Sequence, residues 1–147
     1  MAQIMALAVS EPVRVDSRRL GDIVTELGET AAQNVIGLAL EQLAAALTAA
    51  DKAIRASDLP EGARQCDLLA RLAWQIGLLS LAGVAMDLGA CADKRDRVAI
   101  AAVHARLMRV GNRSLTAIWD RSQLAGGGVA GARPGCSLAF DRRRTGP

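Results

Sequence analysis

Tyrosine is absent from this 147-residue chain, phenylalanine occurs once and tryptophan twice. Strands draw on aromatic and β-branched side chains, which are few here. Helices draw on Ala, Leu, Glu and Arg, which are plentiful, so the chain reads as all-α. Cysteine is scarce: Cys66, Cys91 and Cys136 are odd in number and show no CxxC spacing. That argues against a disulfide framework or a zinc site, and Cys66 and Cys91 are expected to be small buried apolar groups. No stretch reaches the roughly 18 uninterrupted apolar residues of a membrane span. The run from Ile76 to Met86 is too short and contains Gly77 and Gly83. The N-terminus, MAQIMALAVSEPVRVD, lacks a basic n-region and is a poor signal peptide, so a cytoplasmic location is expected.

Catalytic groupings are missing as well. There is no Ser-His-Asp set, no metal-ligand spacing and no glycine-rich phosphate loop, which points away from an enzyme, a metal protein or a cofactor protein. The net charge of +3 is not spread over the chain. It belongs to residues 122–147, where Arg133, Arg142, Arg143 and Arg144 face a single Asp141, while the remainder is neutral. A basic tail on a neutral body is no sign of a specific nucleic-acid-binding fold.

What the chain does have is helical periodicity. Residues 1–15 read as a flexible N-terminus. Asp16 is a suitable N-cap for a short helix carrying Leu20, Ile23, Val24 and Leu27 on one face, stopped by Gly28. Ile36, Leu40, Leu43, Leu47, Ala50 and Ile54 recur at steps of three and four, predicting a helix from about Thr30 to Ala56. Ser57 or Asp58 then caps a third helix, with Pro60 in its first turn, running to about Gly77. A fourth covers roughly Leu79 to Ala92. A fifth spans about Asp96 to Arg121, with Val98, Ala101, Ala105, Met108, Leu115 and Trp119 expected inward. Residues 122–147 are crowded with glycine and arginine and read as a disordered tail. The expected architecture is an antiparallel four-helix bundle over residues 16–121, with the short first helix as a lid.

Against this background Asp58 to Gly89 resembles the histidine-containing phosphotransfer (HPt) domains of two-component phosphorelays. With Asp67 in the place of that family's phosphoacceptor histidine, the packing positions align without a gap. Asp58 matches the acidic residue before the histidine, Leu69 the leucine two after it, and Ile76-Gly77 a Leu-Gly pair. Leu81, Ala82, Ala85 and Leu88 match further leucine and small positions, although Gly89 replaces a glutamate. The departures fall on the reactive side. The histidine is Asp67, the family's lysine is Ala70, and its glycine is Arg71. The resemblance implies a degenerate HPt-like bundle that kept the packing and lost the imidazole nucleophile.

Arg64, Asp67, Arg71, Trp74 and Leu78 share one helix face by spacing, with Leu68 and Gln75 beside them, while Leu69, Leu72, Ala73 and Ile76 turn inward. Asp67 is expected to pair with Arg64 and Arg71. Trp74 has two readings: a binding hot spot next to an arginine, or a side chain half covered by the first helix. The resemblance implies that this face, with Arg64, Asp67, Leu68, Arg71 and Trp74, meets a receiver domain or a histidine kinase. The expected function is therefore a catalytically silent docking module, monomeric or weakly dimeric. Two alternatives stand beside it. One is active phosphotransfer through Asp67 or through the lone His104, which otherwise reads as a partly buried structural histidine. The other is a structural, oligomerising bundle. Arg106, Arg109 and Arg113 form a further ladder, read as a solvated face.

Overall fold

The computed structural model describes residues 12–125. Residues 1–11 and 126–147, expected to be flexible and disordered respectively, lie outside the described residues. Five helices follow in order: α1 (Ser17–Leu27), α2 (Glu29–Arg55), α3 (Leu59–Ile76), α4 (Leu79–Lys94) and α5 (Arg97–Ala125). No strand occurs among the described residues; Val15 and Leu78 form one isolated antiparallel bridge. The protein is all-α. Tight turns make α2 to α5 antiparallel neighbours, α5 closes back against α2, and α1 packs on α2. No described helix is long and apolar enough to cross a membrane.

The helix limits follow from local chemistry. Asp16 caps α1 by accepting from the backbone N–H groups of Arg18 and Arg19, and Asp58 caps α3 by accepting from that of Glu61. Ser57, the other candidate cap, instead takes a left-handed turn at φ 57°. Gly77 ends α3 in the left-handed conformation, φ 84°, which glycine adopts without steric cost. Helix α5 continues beyond the expected Arg121 to Ala125.

The stripe expected on α2 is the stripe that is buried: Ile36, Leu43, Leu47, Ala50 and Ile54 all face the core, with Leu40 partly covered. They meet Leu69 and Ile76 of α3, Leu81, Val84 and Leu88 of α4, and Leu107, Val110 and Ile118 of α5. On α5 the expected face is right only at Met108 and Leu115, which pack against the edge of the core. Val98 is 84% exposed and Trp119 51% exposed. Ala101 and Ala105 face solvent, and Met108 and Leu115 are only partly covered. The inward residues are instead Ile100, Leu107, Val110, Gly111, Ser114 and Ile118.

Small residues let the helices approach closely. A Cβ on Gly111 would sit 2.7 Å from Leu47 Cδ2, and one on Gly62 would sit 2.7 Å from Ile54 Cδ1. Gly37 has nothing within 4 Å of that position. Gly37→Ala is therefore expected to raise stability by about 0.5–1 kcal/mol through helix propensity. Gly111→Ala is expected to lower it by about 1 kcal/mol, because overpacking against the buried Leu47 outweighs the same propensity gain. Urea denaturation of the two variants checks this, and equal signs would remove the close α2–α5 approach.

Arg14 and Val15, expected with the loose N-terminus, are tied down. The backbone N–H of Asp16 donates to the Gly77 carbonyl at 2.8 Å, and the Leu79 N–H donates to the Arg14 carbonyl at 3.1 Å. The Arg14 N–H donates to Ser80 Oγ at 2.8 Å, and Arg19 Nε donates to the Gln75 carbonyl at 3.1 Å. This strap crosses the α3–α4 turn and delivers α1 to the end of the bundle.

Candidate functional site

The five residues singled out on α3 all lie on its solvent side: Arg64, Asp67, Leu68, Arg71 and Trp74 are exposed. Buried Cys66, Leu69, Ala70, Ala73 and Ile76 hold the opposite side of the same helix in the core. This anchoring fixes the register, so the outer stripe is rigidly presented. Leu68 is 39% and Trp74 53% exposed, and Gln75 also faces out.

The electrostatics differ from a continuous ladder. Arg71 pairs with Asp67 at 3.0 Å, both side chains being about two-thirds exposed. Arg64 turns away from Asp67 and pairs with Glu61. Glu61 also accepts from Gln65 Nε2 at 2.8 Å. That hydrogen bond, with the Arg64 charge beside it, holds the Glu61 carboxyl below its ordinary value. Exposed pairs of this kind contribute only tenths of a kcal/mol to stability. Two further expectations need correction. Leu78 is not on the outer stripe but fully buried, because α3 stops at Gly77 and the chain turns inward there. Ala70, expected on the reactive side with Asp67 and Arg71, is 4% exposed and part of the core.

His104 does not share this face. It ties α5 to α2 with its Nε2 2.7 Å from Asp51 Oδ1, the two side chains being 16% and 22% exposed. An ionised carboxylate only accepts, so Nε2 donates in this bond. Asp51 also accepts from Arg55 Nε at 2.9 Å. That bond first, then the one from His104, hold the Asp51 carboxyl below its ordinary value against the opposing effect of burial. A lowered carboxyl pKa contributes stability at neutral pH that disappears as acid titrates the group. The sequence shows the Asp51–Arg55 spacing but not the histidine that joins them from another helix. Cys66 is fully buried between α3 and α4, and burial pushes its thiol up to about 11, so it is a packing group rather than a nucleophile. Cys91 is partly covered. Among the described residues no group of three His, Cys, Asp or Glu is placed to hold a metal ion.

No protein-family model matches the chain, and no curated protein and no solved structure matches it.

Proposed function

We propose that this chain is a catalytically silent, HPt-like docking module that binds a receiver domain or a histidine kinase in cytoplasmic two-component signalling. The observation that carries the reading is the outer face of α3, where Trp74 and Leu68 stand exposed beside the Asp67–Arg71 pair on a helix whose other side is locked in the core. An aromatic flanked by arginine and about half exposed has the composition of a binding hot spot. Asp67 lies mid-helix on a bundle, at the position the HPt resemblance gives to the phosphoacceptor, but it cannot act as an imidazole nucleophile.

The alternative of active phosphotransfer finds less support. Ala70, where the family has its lysine, points into the core. His104 is largely covered and engaged by Asp51. Label from a phosphorylated receiver appearing on the chain, and lost in Asp67→Ala or His104→Ala, would establish that alternative instead.

The test is capture of purified receiver domains and kinase dimerisation domains by the full chain, quantified by surface plasmon resonance. Trp74→Ala is expected to weaken binding about thirtyfold, the roughly 2 kcal/mol of a hot-spot truncation. Arg71→Glu is expected to weaken it further by charge reversal. Failure of every receiver and kinase to bind, or binding unchanged in both variants, would overturn the proposal. Light scattering across a concentration series separates it from the oligomerising-bundle alternative, in which the Trp74 face closes on a second copy.

A further inference from the structure

Beneath α1 the bundle end is not filled. A cleft of about 200 Å³ lies between α1, α2 and α5, walled by Leu20 and Val24 of α1, Ile36 of α2 and Ile118 of α5. Gly21 also lines it, and nothing lies within 4 Å of where a Cβ on Gly21 would sit. No residue of α1 is buried, so its apolar face covers this space without closing it. An enclosed apolar cavity of about 150 Å³ accommodates a benzene ring, so an open cleft of this size has room for a short alkyl chain.

Among the described residues, the polar side chains of the lining are those of Ser17 and Arg121. Arg121 Nη1 donates to Ser17 Oγ, which links the start of α1 to the last turns of α5. Among the described residues no carboxylate forms an ion pair with Arg121. A guanidinium has five N–H donors in a planar fork that matches a carboxylate bidentately. Among the described residues the lining therefore pairs an apolar interior with the Arg121 cation. The chain's own residues 126–147 are a poor charge match, since they carry four arginines against one aspartate.

We propose that this cleft binds a monocarboxylate with a short unbranched apolar chain, the chain lying between Leu20, Val24, Ile36 and Ile118 and the carboxylate on Arg121. The site is separate from the α3 face and does not depend on its role. The fit requires no covalent step and no movement of the four long helices. Entry involves only α1, which the strap and the Ser17–Arg121 bond retain at its N-terminal end.

The experiment is a titration of the full chain with octanoate, followed by ¹H–¹⁵N NMR, with butanoate, hexanoate and octanol as comparators. Shifts are expected at Leu20, Val24, Ile36 and Ile118. Affinity is expected to rise about fourfold per added methylene, the equivalent of ~0.8 kcal/mol each. Arg121→Gln is expected to weaken octanoate at least tenfold while leaving octanol unaffected. Gly21→Leu, which fills the cleft from a position with room for the side chain, is expected to abolish binding of both. Octanol binding as tightly as octanoate would overturn the charged contact. An absence of shifts at the lining residues, or octanoate binding retained in Gly21→Leu, would overturn the site.

Discussion

Leu107→Ala is expected to lower the unfolding free energy by about 3–5 kcal/mol, and Val98→Ala to leave it within about 0.5 kcal/mol. The first figure is the cost of truncating a buried leucine and leaving a cavity that the surroundings fill only in part. Leu107 is completely buried between α5 and the facing helices. The second figure is that of a surface substitution with no special contact, since Val98 is 84% exposed. Both residues are on α5, and both are apolar, so the contrast reads the rotation of that helix directly. Urea unfolding gives the two values on one scale, with an unchanged m-value showing that the same transition is measured. A larger loss from Val98→Ala than from Leu107→Ala would mean that α5 presents the opposite face to the core.

Gly77→Val is expected to cost about 2–5 kcal/mol and to act first on the strap. A β-branched residue at φ 84° carries the left-handed penalty of about 1–2 kcal/mol. A Cβ there would also sit 3.0 Å from Asp16 Cβ, 3.1 Å from the Asp16 carbonyl oxygen and 3.2 Å from Arg19 Cβ. Overpacking of that kind adds roughly 1–3 kcal/mol. All three of these neighbours are rigid backbone or its immediate branch, so the strap moves rather than a side-chain tip. Hydrogen exchange should show the loss of protection at Asp16 and Leu79, whose N–H groups donate to Gly77 and Arg14, while the core amides around Leu107 open much less. Protection retained at Asp16 together with a uniform loss across the core would refute this local mechanism.

Most helix ends were readable from the sequence because their signals are local. Asp16 and Asp58 cap, Gly28 and Gly77 stop, and the six α2 positions repeat at a period that only a helix satisfies. The outer position of Arg64, Asp67, Leu68 and Arg71 followed from the same period, whereas the period left Trp74 open between an exposed and a half-covered place, and it is 53% exposed. The α5 face was not readable, because that helix carries apolar residues on two sides. Its inner side uses Gly111 and Ser114, which lack the size or apolarity that mark a core position, and Ser114 Oγ is buried without a hydrogen-bond partner among the described residues. Leu78 was misplaced by continuing helical spacing past the glycine that ends the helix. Ala70 was misplaced because alanine carries no sidedness of its own. The Asp51–His104 bond joins residues 53 apart in sequence, and no local pattern announces it.

The strap has a mechanical consequence. Asp16 is fastened at the end of α3 and Ser17 at the last turns of α5, so the two ends of the described chain emerge from the same pole of the bundle. Tension applied between residues 12 and 125 would load those few hydrogen bonds first, peeling α1 away from the end of α5 before the packing between the long helices is sheared. Pulling instead between the turns at the opposite pole, near Ala56 and Arg95, and the α1 end would shear the packed helices along their length. The same molecule should thus yield at low force in the first geometry and resist in the second.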